Sequence, residues 1–418
     1  MKNPLLTLSI LALGLTAQAQ TVVTVAGTGV NGDIIGPAAT AQFAQPRGII
    51  TDTSGTIYLT DLGNQKIKKI STTGNVTTIS GTGAIGGNDG SMGNATYNNP
   101  AGMCFDANGN IYLVESGGHR VRFIDLSSGT VSFVAGTGAP GNVDGSGSGA
   151  SFNTPTDIDI DNNGNLYVAD YNNNSVRVIS SGSVNTLANG ISTPHGLAVD
   201  PTGSVLYVGS RTGHVLLRIT AAGVDTLAGN GISINTDGVG TAASFTTIMD
   251  LDLDAAGNIY AITDDGDLRK ITPAGVVTTL VGGANVYSYQ DGNADSVKFL
   301  YSTGLSVVDS AHIYVTELNG AKVKEYIGAA PAGMNAAPYI SPSVTLFPNP
   351  TSGNFKLVAN QTLDNAVVII TDVVGKEISR TSISNSATVD LQIEDAPGIY
   401  FVLIETKTGK VVERVVKH

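Results

Sequence analysis

A glycine followed by an aliphatic residue, a tyrosine and further apolar residues recurs along the chain, and this pattern predicts short β-strands at regular intervals. The clearest copy is Gly164–Asp170, which reads Gly-Asn-Leu-Tyr-Val-Ala-Asp. The six tyrosines of the pattern lie 54, 55, 40, 53 and 54 residues apart, at Tyr58, Tyr112, Tyr167, Tyr207, Tyr260 and Tyr314. Such a period predicts one structural unit repeated six times.

The second copy shows what one unit contains. Alternating apolar segments separated by turn residues predict four strands, at Met103–Phe105, Asn110–Glu115, Val121–Ile124 and Val131–Ala135. A single antiparallel sheet of this size cannot bury both faces, whereas six sheets packed in a ring can. The predicted fold class is therefore all-β: a six-bladed β-propeller followed by a small β-sandwich.

The two ends of the repeat region predict how the ring closes. Thr21–Gly27 matches the fourth strand of other units but precedes the first whole unit, and the sixth unit stops at Ile327 after its third strand. We expect residues 22–26 to complete the sixth blade, because an open ring would leave two unpaired sheet edges.

A second element lies between the units. It consists of an Asp-Gly pair followed by a small residue and an aromatic residue, with the aromatic at Tyr97, Phe152, Phe245 and Phe299. The first copy keeps Gly36 and Phe43 but has Ile35 in place of the aspartate, and the junction at 190–194 lacks the element. We expect the aromatic side chain to fill the gap between blades and the Asp-Gly pair to form a turn.

Composition agrees with a turn-rich β protein and narrows the partners. The 418 residues include 52 glycines and no tryptophan, and only 13% are charged. Between residues 21 and 337 there are 26 acidic and 14 basic residues, which disfavours a nucleic-acid partner. The only cysteine, Cys104, rules out an intrachain disulfide and is expected to pack in the core.

The ends of the chain predict export. Residues 1–19 have a positive start, a short apolar run and an Ala-Gln-Ala cleavage site, which is typical of a secretory signal peptide. The apolar run is too short to span a bilayer, so no transmembrane segment is predicted. Residues 20–327 are expected to form the propeller, 328–344 a linker rich in Ala, Pro, Gly and Ser, and 345–418 the sandwich.

Two family resemblances follow from these motifs. Pro-x-Gly, then Gly-Asn-Ile/Leu-Tyr-Val-x-Asp, then Val-Arg-x-Ile resembles the NHL repeat, which implies a six-bladed propeller; Ser210 and Asn319–Ala321 depart from the pattern. Residues 345–418, with Phe347–Pro350 and Pro397–Tyr400, resemble the type A C-terminal sorting domain of the type IX secretion system. That resemblance implies interaction with the secretion machinery, transport across the outer membrane, and release or attachment at the cell surface after removal of the domain.

Two motifs that suggest chemistry have simpler explanations. Gly27–Gly32 fits a dinucleotide-binding fingerprint, but no helical pattern follows to hold a pyrophosphate. Asp159–Asn165 with Asp170 fits a calcium loop, but aspartates open the same turn in other repeats. We therefore predict no cofactor, while an axial calcium or zinc ion stays open as an alternative.

The second strand of each unit ends, and the first begins, on one side of the ring, which we call the loop face. The candidate ligand-binding residues there are Arg47, Asp61, Glu115, Thr156, Asp170, His195, Asp264 and Glu317. The acids either accept backbone N–H bonds in their own turns, which we favour, or form a ring that binds a cation or a basic ligand.

These observations predict a secreted or surface-attached NHL-type propeller that binds a protein, peptide or glycan without catalysis. The alternative is an extracellular enzyme of the lyase or lactone hydrolase type, with a metal on the propeller axis held by His195 and neighbouring acids. Neither Gly-x-Ser-x-Gly nor His-Glu-x-x-His occurs in the sequence, which favours binding over catalysis. No catalytic residue is assigned.

Overall fold

The computed structural model describes residues 20–283, 288–328, 344–347, 351–363, 366–372, 376–406 and 409–417. The predicted signal peptide and residues 329–343 of the predicted linker lie outside this part of the chain. The described elements are β-strands and four single turns of 3-10 helix, at Leu62–Asn64, Tyr171–Asn173, Gly240–Ala242 and Ala294–Ser296. Within the described ranges, no helix has the length and apolar character needed to cross a membrane.

The first three blades follow one plan, in which strands two to four of the sheet run back and forth from an innermost strand. After β1 (Thr21–Ala26), blade one contains β2 (Gly36–Pro37), β3 (Pro46–Thr51), β4 (Ile57–Asp61), β5 (Lys66–Ile70) and β6 (Asn75–Ser80). Blade two contains β7 (Gly90–Ser91), β8 (Pro100–Phe105), β9 (Ile111–Glu115), β10 (Arg120–Asp125) and β11 (Thr130–Ala135). Blade three contains β12 (Gly145–Ser146), β13 (Pro155–Ile160), β14 (Leu166–Asp170), β15 (Ser175–Ser180) and β16 (Ser183–Asn189).

The remaining three blades vary this plan. Blade four has four strands, β17 (Pro194–Val199), β18 (Leu206–Ser210), β19 (Val215–Thr220) and β20 (Gly223–Ala228). Blade five has β21 (Gly238–Val239), β22 (Ile248–Leu253), β23 (Ile259–Thr263), β24 (Leu268–Ile271) and β25 (Val276–Val281). Blade six has β26 (Gly292–Asn293), β27 (Ser302–Asp309), β28 (His312–Glu317) and β29 (Lys322–Ile327), together with β1.

The N-terminal strand closes the ring as predicted. Strand β1 pairs antiparallel with β29, with Thr21 opposite Ile327 and Val22 opposite Tyr326. The innermost strands β3, β8, β13, β17, β22 and β27 contact one another in sequence, and β27 returns to β3. Thr303 Oγ1 donates to the Pro46 carbonyl at 3.2 Å across this last junction. Every sheet therefore has a neighbour on both faces, which lets each sheet bury both of its apolar faces.

Five blades have a fifth strand that the sequence analysis did not predict. It is only two residues long and is formed by the glycine of the Asp-Gly element, as where Gly90 pairs with Val131 and Ser91 with Thr130. Gly90 has φ +122, a backbone conformation that glycine adopts without steric cost. Blade four lacks both the element and the extra strand, which explains why its sheet has four strands.

Aromatic residues fill the gaps between blades, as predicted. The five side chains have no solvent exposure and belong to Phe43, Tyr97, Phe152, Phe245 and Phe299. Burying one such side chain stabilises a fold by roughly 1.5–3 kcal/mol. These residues join the cores of neighbouring sheets, since Phe43 and Tyr97 belong to one apolar cluster with Leu59 and Leu113.

The C-terminal residues form two further sheets. One contains β30 (Val344–Phe347), β31 (Asn354–Leu363) and β34 (Ser386–Gln392). The other contains β32 (Ala366–Asp372), β33 (Glu377–Ile383), β35 (Gly398–Thr406) and β36 (Gly409–Lys417). Buried residues of both sheets, such as Leu357 and Val402, share one apolar core, which is the arrangement of a small β-sandwich.

Candidate functional site

Four of the predicted loop-face acids are buried and paired with a cation on the next strand of their own blade. The exposed fraction of these acids is 0–2%. The shortest N···O distances are 2.7 Å for Asp61–Lys68, 2.7 Å for Glu115–Arg122, 2.8 Å for Asp170–Arg177 and 3.4 Å for Glu317–Lys324. The carboxylates of these four acids are not exposed to solvent. Their role in ligand binding stays a prediction.

Blade three shows the full arrangement. Arg177 is completely buried, and its guanidinium pairs with Asp170 at 2.8 Å and with Asp144 of the Asp-Gly element at 2.5 Å. It also donates to the carbonyls of Ser151 and Val143, both at 3.0 Å. The ring of Phe152 lies 5.3 Å from its central carbon. We call a buried cation held between a strand-end acid, an Asp-Gly aspartate and an aromatic ring an ion-pair clamp.

The clamps explain two features of the sequence. In blade one, Asp33 pairs with Lys68 at 2.8 Å, so an aspartate two residues upstream replaces the one missing at Ile35. In blade four, the positions of the acid and the cation are Ser210 and Leu217, and the Asp-Gly element is absent too. Blade four therefore lacks the acid, the cation and the Asp-Gly element together.

Each strand-end acid also accepts a backbone N–H bond, which was the favoured explanation from sequence. Asp61, Asp170 and Glu317 accept from Ala44, Asn153 and Leu300 at 2.7–2.8 Å. Burial raises the pKa of each of these carboxyls, and the paired cation and hydrogen bonds oppose the shift. Burial raises the pKa of Glu115 to about 7, against the effect of Arg122. These groups serve the packing of each blade.

Blade five departs from the predicted arrangement. Strand β23 ends at Thr263, and Asp264 follows it, half-buried, accepting from the Thr247 N–H at 3.2 Å. The clamp cation Arg269 pairs with Asp237 at 2.8 Å and not with Asp264. Asp264 therefore takes no part in an ion-pair clamp, and its role in ligand binding stays a prediction.

Three other predicted residues meet at the loop-face end of the axis. Thr156 Oγ1 donates to the carbonyl of His195 at 2.9 Å, and Arg47 from the opposite blade reaches His195 Nε2 at 3.2 Å. His195 Nδ1 lies 2.6 Å from the Met249 carbonyl. Burial and the charge of Arg47 hold the pKa of His195 well below its usual value. The imidazole is therefore neutral, with Nδ1–H donating to Met249 and Nε2 accepting from Arg47.

Two residues beside this cluster were not identified from sequence. Tyr171 and Arg211 directly follow the second strands of blades three and four. Arg211 Nη1 donates to the Tyr171 hydroxyl at 3.1 Å, and the rings of Tyr171 and His195 meet edge to face at 5.9 Å. Neither residue belongs to the repeated pattern, so only its position after a second strand could have indicated it.

An acidic cavity of about 270 Å³ lies along the axis among the inner strands. Its four aspartates accept backbone N–H bonds from the next blade at 2.7–2.8 Å: Asp157 from Leu197, Asp159 from Val199, Asp250 from Leu305 and Asp252 from Val307. Burial raises the pKa of Asp157, Asp159 and Asp252 to about 7, and that of Asp250 well above its usual value. These four carboxyl groups therefore link neighbouring inner strands by hydrogen bonds.

The remaining candidates behave as local structure. Asp161 Oδ1 accepts from the N–H groups of Asn163 and Asn165 at 2.9 Å, so the calcium-loop motif is a turn. Cys104 is buried, and burial raises the pKa of its thiol well above the usual value. Over the described ranges, no three His, Cys, Asp or Glu side chains are grouped in a way that could hold a metal ion.

A second concavity opens on the loop face between blades five and six. It has a volume of about 510 Å³ and is lined by Asn235, Thr246, Asp264, Asp265, Lys298, Tyr289, Tyr301 and neighbouring residues. The two tyrosines are 41% and 37% exposed, which is high for aromatic side chains. We call this concavity the tyrosine cleft. Asp264 is the one predicted site residue that lines it.

Comparisons with known proteins agree with this architecture. Residues 152–179 match the NHL repeat, and residues 345–418 match the secretion system C-terminal sorting domain. The chain carries an NHL-type propeller followed by a secretion sorting domain. The sorting domain indicates export by the type IX secretion system to the cell surface or the extracellular space.

Similar proteins match the chain over parts of their length. NHL repeat-containing protein 2 of Bos taurus is 34% identical over 105 residues, which is 24% of this chain and 14% of that protein. The chain spans 9–14% of the length of the curated relatives it matches. A solved auxiliary nutrient binding protein of Bacteroides thetaiotaomicron has a TM-score of 0.58 at 15% identity, covering 73% of this chain and 76% of that one. A gluconolactonase of Xanthomonas campestris has a TM-score of 0.51 at 14% identity, covering 74% and 89%.

Proposed function

We propose that this exported propeller is a non-catalytic binding module and that the tyrosine cleft binds a neutral oligosaccharide. The observation that carries the proposal is a pair of exposed tyrosines beside amide, hydroxyl and carboxylate groups in a 510 Å³ cleft. An aromatic ring offers a flat apolar surface for the C–H face of a pyranose, and the polar groups can bond its hydroxyls. A volume of several hundred Å³ is typical of ligand sites.

The backbone at Tyr301 supports a binding role. The residue before the inner strand is left-handed in several blades, with φ of 47–58° at Gln45, Asn99, Thr154 and Thr193. Blade six has Tyr301 there at φ 51°. A bulky residue in this conformation is uncommon and is often associated with function. Tyr301 is 37% exposed, so part of its surface is accessible to a ligand.

The second tyrosine is held by the clamp of its own blade. Lys324 Nζ donates to the Tyr289 carbonyl at 2.7 Å, and Lys324 is itself paired with Glu317. This contact holds the backbone of Tyr289 in place. A backbone that is already fixed loses little conformational entropy when a ligand binds.

The charges in the cleft favour a neutral ligand over an acidic one. Lys298 pairs with Asp265 at 3.0 Å and with Asp267 at 2.9 Å, and Asp264 adds a further carboxylate. Three acids against one lysine leave a net negative cleft, which would repel uronic acids and sulfated sugars.

The alternative of an axial enzyme is less well supported by the geometry of His195. Both ring nitrogens are engaged, Nδ1 with the Met249 carbonyl and Nε2 with Arg47. A general base needs a nitrogen that can reach the substrate proton, and neither is free for that. The gluconolactonase and the nutrient binding protein share the fold at 14% and 15% sequence identity, so neither similarity decides between the two functions.

Binding to neutral oligosaccharides tests the proposal. The full chain is screened on a glycan array, and hits are titrated by calorimetry with the wild type, Tyr301→Ala and Tyr289→Ala. We expect each substitution to weaken binding at least tenfold. Phe133→Ala, which removes an aromatic side chain of 38% exposure on another blade, should leave affinity unchanged. The absence of any neutral glycan ligand, or equal affinities for all variants, contradicts the proposal.

A further inference from the structure

Two arginines at the loop-face end of the axis lack the acidic partner that other propeller arginines have. Arg120, Arg122, Arg177, Arg218 and Arg269 each form an ion pair with a carboxylate. In the described part of the chain, Arg47 and Arg211 form none, and each guanidinium has one hydrogen-bond partner, His195 and Tyr171 respectively. A guanidinium has five N–H donors, so most of theirs form no hydrogen bond within this part of the chain.

The two arginines come from blades one and four, and they approach the same pair of aromatic residues. His195 joins them: Arg47 bonds its Nε2, while Tyr171 packs on its edge and accepts from Arg211. Both positive charges lower the pKa of His195, and Arg211 together with burial lowers the pKa of Arg47. The two positive charges act on the same half-buried place, and an anion that binds there would be attracted by both.

The surroundings restrict the anion. Asp157 and Asp250 line the axial cavity and lie near enough to Arg47 to act on its pKa, without forming an ion pair with it. A dianion would face these acids more unfavourably than a single negative charge. Met249 and Ala101, both buried, occupy the equivalent inner-strand positions of neighbouring blades, so apolar side chains adjoin this end of the axis.

We propose that Arg47, Arg211 and the Tyr171 hydroxyl form a binding site for the carboxylate of a small organic acid. Guanidinium groups bind carboxylates through paired, charge-assisted N–H···O bonds. The Tyr171 hydroxyl accepts from Arg211 and can donate its own proton to the second carboxylate oxygen. This site is separate from the tyrosine cleft, and it does not depend on the function proposed there.

Titration of the purified full chain with sodium benzoate, sodium acetate and inorganic phosphate tests the site. Calorimetry is performed at pH 7.5 and constant ionic strength, with sodium chloride as the reference salt. We expect saturable 1:1 binding of benzoate, tighter than that of acetate because of the adjoining apolar side chains, and weaker binding of phosphate. Arg211→Gln and Arg47→Gln should each lower the affinity for benzoate at least tenfold.

The matched control is Arg218→Gln, which removes an exposed arginine whose partner is Asp225, at 2.6 Å. It should bind benzoate as the wild type does. Circular dichroism and Tm report folding of each variant, and Arg211, partly exposed, serves if Arg47→Gln does not fold. The proposal is overturned if no carboxylate binds the wild type, if phosphate or chloride competes equally well, or if Arg211→Gln retains full affinity. Glycan binding by the same variants shows whether the tyrosine cleft is affected.

Discussion

Substitution of both Asp170 and Arg177 in the blade-three clamp should cost much less stability than the two single changes predict. Asp170→Ser leaves Arg177 buried and removes its 2.8 Å partner, along with the acceptor for the Asn153 N–H. Breaking a buried ion pair by removing one partner costs about 3–5 kcal/mol. Asp144 still pairs with Arg177, so we expect the lower value, about 3 kcal/mol. Arg177→Leu should cost a similar amount, because it leaves Asp170 buried without a cation.

Blade four shows what the double variant would resemble. It has Ser210 and Leu217 at the two positions, and Ser210 Oγ donates to the Ser192 carbonyl at 2.9 Å. Asp170→Ser combined with Arg177→Leu leaves no unpaired buried charge in the strands. We therefore expect the double variant to be destabilised by at least about 2 kcal/mol less than the sum of the single changes.

Urea denaturation followed by tyrosine fluorescence and circular dichroism measures the free energy of unfolding of the full chain. The control cycle uses Arg218 and Asp225, an exposed pair at 2.6 Å in blade four, for which we expect a coupling energy below about 1 kcal/mol. A coupling energy in the clamp no larger than that of the control would refute the argument that the buried charges stabilise blade three as a unit.

Two further predictions concern the axis. Burial raises the pKa of Asp252 from 3.8 to about 7, so the folded chain binds more protons than the unfolded chain in this range and stability should fall as pH rises from about 4 to 7. The side chain of Asp252→Asn stays neutral, so this variant should be more stable than the wild type at pH 8 by about 1–2 kcal/mol. Its Tm should also fall less between pH 5 and pH 8. A dependence of Tm on pH equal to that of the wild type contradicts this prediction. Gly304→Ala would place a Cβ against the Arg47 carbonyl and the Thr316 hydroxyl, and should lower the free energy of unfolding in urea by about 3 kcal/mol. The control is Gly93→Ala, whose Cβ meets nothing within 4 Å and should change stability by less than about 0.5 kcal/mol. Equal effects of the two alanines would show that the inner strands are not closely packed.

Much of the fold could be predicted because it repeats locally. Period-two alternation around tyrosines such as Tyr112 and Tyr167 specifies strands, and identical units can bury their faces only against one another. The ring closure by Thr21–Ala26 followed from counting strands, since one was missing at the end and one was extra at the start. The buried aromatics followed from their fixed place after each Asp-Gly pair.

Residues close together in the chain therefore specify the strands, the ring, and the number of strands in each unit apart from the short outer strand. Contacts between blades specify what the charged residues on the axis do. Arg47 and His195 are 148 residues apart and meet only because blades one and four lie opposite each other. Ring closure also leaves Arg47 and Arg211 without an acidic partner in the described part of the chain. Asp61 and Asp170, in contrast, pair with cations that lie seven residues later on the next strand of their own blades, a spacing that the repeat does contain. Whether a charge on the axis is paired depends on neighbours from other blades, and the repeat does not specify those neighbours.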